Sequence, residues 1–407
     1  MSDYTILLEL ALILLSTKLL GIITKKLGLP QVVGFLIAGL LIGPCVLNVV
    51  HPSDTLKIIA ELGVILIMFS AGLETSLKDL KETGLTAFLV AAAGVLLPLG
   101  CGFLIAAAFN GGFHDLDSQK VLKCVFVGIV MTATSVSITV ETLRELGRLR
   151  TKAGTVILSA AIIDDVIGII LLSIIIGFKN PEVKPLEAVL KTVIFFVLAV
   201  GVGIGLHFLF KYLTKKFPHT RRLAILGLVI CFLYAYCAEK FFGVADITGA
   251  YLAGICLSGM KDTDYVDRKI EINSYMIFGP VFFASIGINA DFSTFNVNMV
   301  WFSLAFVAVA ILTKLLGCFG AAKALRYDLR SSLIIGVGMI ARGEVCLIVL
   351  QRGIQAGFVT ADYLAMGVML VIASSFLAPI LLKLLCKEKN LPPLDLPENI
   401  DSGEAAS

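Results

Sequence analysis

Long apolar stretches recur along nearly the whole 407-residue chain, and many reach about 18 residues or more, enough to cross a hydrocarbon core about 30 Å thick as a helix. A helix satisfies its own amides and carbonyls where no water is at hand, so this pattern leaves few other choices. Only 15% of residues are charged and the mean hydropathy is +0.97, far from the roughly 25% charged content of soluble domains. The expected fold is an all-α polytopic membrane protein with no soluble domain. Breaker residues divide it into about 13 segments, near 4–24, 30–50, 56–74, 84–109, 121–143, 153–178, 186–210, 223–242, 246–260, 271–289, 297–322, 331–352 and 361–386.

The ends and cysteines add little. The opening "MSDYTILLELALILLSTKLLG" lacks a basic n-region and a small-residue cleavage site, so it reads as a first span and not a signal peptide. The polar, proline-bearing stretch 387–407 reads as a disordered cytoplasmic tail, which leaves open whether a regulatory domain follows. Nine cysteines are scattered with no C-x-x-C pair, as small apolar residues in helices would be.

Basic residues mark one face. Lys25 and Lys26, Lys78 and Lys81, Arg144 to Lys152, Lys211 to Arg222, Lys261 to Lys269, Lys323 to Arg330 and Lys383 to Lys389 fall in alternate loops, while "HPSD", "NGGFHDLDSQ" and "NADFSTFNVN" are poor in Lys and Arg. The positive-inside rule puts the N-terminus outside and the C-terminus in the cytoplasm. The fifth segment, "GIVMTATSVSITVETL", and the twelfth, "GVGMIARGEVCLIV", both carry polar clusters. Paired polar interruptions are what two inverted-topology repeats produce, with segments 1–6 and 8–13 joined by the seventh.

Asp164 and Asp165 lie inside "SAAIIDDVIGII", roughly 11 to 13 residues into a span of about 26, which at 1.5 Å per residue is near the bilayer midplane. Two ionised carboxylates there cost about 5–7 kcal/mol on insertion scales, and such residues mark an ion or proton path. Side chains one residue apart point about 100° away from each other, so the two carboxylates have different partners. Ser159, Ala160, Ala161 and Gly168 leave room for close approach. The cationic candidate is Lys314, mid-segment in "ILTKLLGCFGAAKAL"; buried, it needs a carboxylate or loses its proton. Lys18 lies nearer a segment end and snorkels.

In the fifth segment Thr132, Thr134 and Ser135 offer hydroxyls and, where a helix unwinds, carbonyl oxygens suited to a hard monovalent cation. Arg342 and Glu344 of "ARGEV" are opposite charges at membrane depth that bridge to each other, to helix ends or to neighbouring segments. Glu74 reads as an interfacial residue. Of the histidines only His207 lies within a segment, so carboxylates do the proton work. A site either protonated or cation-bound couples two fluxes. Intramembrane aspartyl proteolysis also uses two buried aspartates, but needs them on facing helices so that they share a water; here both are on one segment and no G-x-G-D occurs.

"GLPQVVGFLIAGLLIGP" (28–44), "TATS" (132–135), "AAIIDDVIG" (160–168), "FFASIGINADF" (282–292), "TKLLGC" (313–318) and "GMIARGEV" (338–345) together resemble the monovalent cation:proton antiporter-2 family, which includes bacterial sodium/proton antiporters and potassium efflux proteins. The resemblance implies 13 spans in which the fifth and twelfth are unwound and cross. It implies a dimerisation part at about 1–83 and 211–290, a core at about 84–178 and 297–386 that moves like an elevator, and a linker helix at about 186–210. Carried over, Asp165 is the main cation and proton carrier, Asp164 pairs with Lys314, Thr132 and its neighbours line the site, and Arg342 and Glu344 brace the crossing. The Asp-Asp pair with the lysine goes, in that family, with electrogenic sodium exchange, two protons for each cation. K+/H+ efflux-type antiport is the alternative, and a non-transporting cation sensor on the same fold a weaker one. The resemblance implies no cofactor, Na+ (with K+ or Li+ as alternatives) and H+ as cargo, a homodimer among membrane lipids, no nucleic-acid partner, and a bacterial plasma membrane.

Overall fold

The computed structural model describes residues 4–109, 118–179, 185–216, 221–260, 262–290 and 300–386; the expected tail at 387–407 lies outside them. All regular elements among the described residues are helices. In chain order they are α1 (Thr5–Lys26), α2 (Gln31–Ile42), α3 (Asp54–Glu74), α4 (Leu77–Phe109), α5 (Ser118–Thr132), α6 (Val136–Glu145) and α7 (Lys152–Lys179). Then come α8 (Pro185–Lys216), α9 (Arg221–Cys237), α10 (Asp246–Leu257), α11 (Thr263–Asn273) and α12 (Gly279–Ile288). The last four are α13 (Val300–Ala324), α14 (Leu329–Gly338), α15 (Glu344–Gln355) and α16 (Asp362–Cys386). A π-helical turn, Ala238–Phe242, extends α9, and another, Ser274–Phe278, joins α11 to α12.

Among the described residues ten helical stretches are long and apolar enough to cross a membrane, counting α5 with α6, α9 with its π-helical turn and α11 with α12, and four shorter apolar helices accompany them. The chain is a multi-pass membrane protein. The expected segments at 30–50, 246–260 and 331–352 contain the shorter pieces, so a count of thirteen crossings rests on these. At the first of them the apolar run continues past α2, but Gly43-Pro44 stops the helix. The chain then turns back, and the amides of Val49 and Val50 both donate to the carbonyl of Ile42, at 3.0 and 2.9 Å. The expected 271–289 segment starts earlier, at Thr263, because the amphipathic α11 precedes its apolar part.

Two sets of packed helices emerge. In one, α4 packs on α5, α7 and α13, and α13 on α14 and α16; in the other, α3 packs on α10, α11 and α12, and α2 on α1 and α12. The sets meet where α6 and α16 touch α2, and where α6 touches α3. The second set is locked by backbone contact. A Cβ added at Gly72 of α3 would collide with the carbonyl of Tyr251, and one at Gly254 of α10 with the carbonyl of Phe69. Small residues are what let helix backbones approach this closely in lipid, where packing and not hydrophobicity drives association.

One face gathers the basic loops. Arg144 Nε lies 3.0 Å from Glu74 Oε1, Arg150 Nε 3.3 Å from Glu74 Oε2 and Arg150 Nη2 3.6 Å from Asp264. The amide of Gln31 donates to Glu145 at 2.7 Å, and Arg330 Nε donates to the carbonyl of Leu385 at 2.8 Å. The ends of α3, α6 and α16 and the starts of α2, α7, α11 and α14 therefore share this face. Glu74, with a side chain only 12% exposed, is an ion-pair hub there. On the same face Asp328 caps α14, accepting from the amide of Ser331 at 2.9 Å; the hydroxyl and amide of Ser331 hold its carboxyl below the ordinary aspartate range.

The Gly72 contact generates a prediction. Because the obstacle is backbone and cannot rotate away, Gly72→Ala should cost about 1–3 kcal/mol by overpacking. Thermal unfolding followed by size-exclusion fluorescence in detergent should show a clear fall in midpoint, whereas Gly84→Ala, where an added Cβ meets nothing within 4 Å, should leave it unchanged or slightly raised.

Candidate functional site

Two helices break beside one another. The chain leaves helix at 133–135 between α5 and α6, and at 339–343 between α14 and α15. The breaks are joined directly: the amide of Ser135 donates to the carbonyl of Ala341 at 2.7 Å, and Thr139 Oγ1 donates to the carbonyl of Gly338 at 2.7 Å. Each break frees backbone groups that water would otherwise satisfy, and at this depth they need partners from the protein.

The long helix α7 packs on α4, α5, α6 and α14, and carries Asp164 and Asp165 about halfway along. Both are buried, at 3% and 7% exposure. Lys314, halfway along α13 and fully buried, reaches the crossing. Its Nζ donates to Asp164 Oδ1 at 2.8 Å, to Asp164 Oδ2 at 3.0 Å and to the carbonyl of Thr132 at 2.9 Å. An ammonium has three N–H donors, so this one is saturated. The stem of Lys314 lies on the backbone of α4 at Gly94, where an added Cβ would stand 3.5 Å from Nζ and 2.7 Å from Cys318 Sγ.

Arg342 sits in the second break, fully buried. Its Nη1 donates to the carbonyl of Thr132 at 2.7 Å, to the carbonyl of Ala133, and to Thr134 Oγ1 at 3.4 Å. The C-terminal end of a helix carries partial negative charge, and here the opened end of α5 is met by two cations, Lys314 and Arg342. Nε and Nη2 of Arg342 have no hydrogen-bond partner among the described residues. The side chain of Glu344, expected to brace Arg342, lies outside them.

The hydroxyls have local duties. Thr132 Oγ1 donates to the carbonyl of Ile129 at 2.8 Å, Thr134 Oγ1 to that of Thr132 at 3.4 Å, and Ser135 Oγ pairs with Ser137 Oγ at 3.2 Å. The structure thus brings Asp164, Lys314, Arg342 and the Thr132–Ser135 stretch to one crossing, with Asp165 buried at the next position of α7. The carbonyl of Thr132, expected to be open to a cation, already accepts from Lys314 and Arg342, and the neighbouring carbonyl of Ala133 accepts from Arg342. Lys18 is exposed on α1 with Nζ 5.5 Å from the ring centre of Tyr275, and His207 Nδ1 lies 3.0 Å from the carbonyl of Cys256, outside this cluster.

Residues 11–388 match the family described as sodium/hydrogen exchanger, transmembrane. The chain belongs to that family. It is a family of transporters, not enzymes. Among curated relatives, the Na(+)/H(+)-K(+) antiporter GerN of Bacillus cereus is 38% identical over 94% of this chain and 96% of its own length. The Na(+)/H(+) antiporter of Enterococcus hirae is 36% identical over 93% and 97%. The sodium proton antiporter MjNhaP1 of Methanocaldococcus jannaschii has the same fold, at a TM-score of 0.67 and 19% identity over 93% of this chain and 97% of the other, and 0.72 against its electron-microscopy structure.

Residue-type reasoning did not reach Thr139, Ser374, Ser375 or the carbonyl of Ala133. The first three are hydroxyls in apolar segments, where bonding back to the parent helix is the ordinary outcome. The adjacent pair in "VIASSFLAP" was the available signal.

Lys314→Met alone should lower stability by about 3–5 kcal/mol, because it strands a buried carboxylate. Adding Asp164→Asn should recover much of that loss. A double-mutant cycle of thermal midpoints measures it, and additive losses would show the pair uncoupled.

Proposed function

We propose that the protein exchanges sodium for protons across a bacterial plasma membrane, with Asp165 alternately protonated and cation-bound. The observation that carries this reading is a pair of buried carboxylates at mid-depth beside two crossed helix breaks, with the first carboxylate bridged to Lys314. An ionised carboxylate held in such a place is costly, so proton and cation are competing ways to neutralise it. Competition for one group, with the occupied forms permitted to change sides, is antiport.

The finer features follow from the same arrangement. Asp164 releases Lys314 when it takes a proton, which supports a second proton per cycle and net charge movement. The two helix sets support an elevator, in which the core around α4, α5, α7 and α13 carries the site past a scaffold built on α3, α10 and α12. The family resemblance supports a homodimer joined through that scaffold. The basic loops collected on one face support a cytoplasmic placement of that face, and so of the C-terminus. Potassium is the second reading for the cargo, favoured by the name of the 38% identical relative, a Na(+)/H(+)-K(+) antiporter.

The test is reconstitution. Proteoliposomes carrying an imposed proton gradient should show dequenching of a pH dye on sodium addition, and Asp165→Asn should reduce it to the protein-free background, a loss of about a hundredfold or more if the group is the sole carrier. Undiminished sodium-driven flux in that variant would remove Asp165 from the role. Titration with potassium in the same vesicles separates the two cargo readings, and currents on a supported membrane report whether charge moves.

A further inference from the structure

The break between α14 and α15 leaves the amide and carbonyl of Arg342 outside any helical ladder, and the residue is fully buried. Both groups are taken up by α16. The amide donates to Ser374 Oγ at 3.0 Å, and Ser375 Oγ donates to the carbonyl at 2.9 Å. Ser374 Oγ is itself oriented, because it donates to the carbonyl of Val371 at 3.2 Å and so presents a lone pair to the arginine amide. Both serines are fully buried. Two neighbouring hydroxyls thus grip one residue's backbone from both sides, one as acceptor and one as donor.

That residue's side chain ends on the opened end of α5. The guanidinium shares the carbonyl of Thr132 with Lys314, and Lys314 in turn holds Asp164. A shift of the Arg342 backbone therefore changes how tightly the lysine's third acceptor is held and how much positive charge stands near the two carboxylates. We propose that Ser374 and Ser375 are positioning residues of the exchange site, fixing from α16 where the Arg342 guanidinium meets the broken helix. The inference rests on the proposed exchange at Asp165 and concerns how that site is held.

Among the described side chains, the groups that share this space are few. Asp164 and Asp165 come from α7, Lys314 and the thiol of Cys318 from α13, and the thiol of Cys346 from α15. Among the described residues α4, α5 and α16 carry no buried charged side chain, and the part-buried Glu141 and Arg144 of α6 pair with each other at its basic end. The guanidinium places the opened end of α5, of which Thr132, Ala133 and Thr134 are part. Loosening Arg342 lets that end drift, so the Thr132–Ser135 stretch is less well placed for sodium. The sodium needed for half-maximal exchange then rises.

The experiment is sodium-driven proton flux in proteoliposomes across pH 6 to 9, for the full chain and for Ser374→Ala, Ser375→Ala, Ser374→Thr and Ser332→Ala. Ser332 is equally buried but sits in the first turn of α14, so its variant reports general loss of a buried hydroxyl. Both alanine variants at 374 and 375 should raise half-saturating sodium by about threefold across that range. Maximal flux at alkaline pH and saturating sodium should be retained, and Ser374→Thr, which keeps the hydroxyl, should follow the unaltered protein. If Ser374→Ala does not fold, Ser375→Ala and Ser374→Thr carry the comparison. Variants that lose only thermal stability or maximal flux, with half-saturating sodium unmoved as for Ser332→Ala, overturn the proposal. Absence of sodium-driven flux in the unaltered protein overturns the exchange reading itself, a distinct result.

Discussion

The Lys314 ammonium organises the centre of this molecule. It has three protons to donate and meets three acceptors, two on Asp164 and one on the carbonyl of Thr132. One group therefore ties α13 to α7 and to the broken end of α5. Buried ion pairs seldom add net stability over apolar packing, but removing one partner is expensive. The lysine is thus held by the presence of the carboxylate, and the carboxylate by the lysine, and the broken helix needs both.

The crossing depends on that balance. A helix break at membrane depth exposes carbonyls that lipid cannot solvate. Here the carbonyls of Thr132 and Ala133 face cationic side chains, so the end of α5 is neutralised by the protein itself. The ammonium and the guanidinium compete for one oxygen, which makes the site an arrangement of few groups with alternative pairings. Such an arrangement suits exchange better than a rigid cage, since a cage that satisfied every oxygen would have no reason to release its cargo.

The charged centre was legible in the sequence because charge inside an apolar segment is costly and therefore conspicuous. Asp164, Asp165 and Lys314 announced themselves this way, and so few charges lay at that depth that their meeting was a short inference. The polar interruptions of the fifth and twelfth segments were likewise visible. What lay out of reach was set by chemistry common to every residue. A carbonyl such as that of Ala133 has no signature in the side chain, and Ser374 or Ser375 looks like any hydroxyl that bonds back to its own helix. Helix ends were misjudged where hydropathy and backbone geometry disagree. The apolar stretch after Ile42 continues, yet Gly43-Pro44 ends the helix, and α11 starts before its segment because its exposed turns are polar.

The ion pairs on the basic face bear on kinetics. Arg144 and Arg150 extend from one helix set to Glu74 and Asp264 of the other, and Glu145 accepts from Gln31 across the same seam. Hydrogen bonds and ion pairs of this kind survive displacements of an ångström or so, while a slide of one helical turn is about 5.4 Å. A core that travels past its scaffold by that much cannot keep these contacts at both ends of its stroke. On the proposed elevator reading, these contacts hold one end of the stroke and must be broken for the core to leave it.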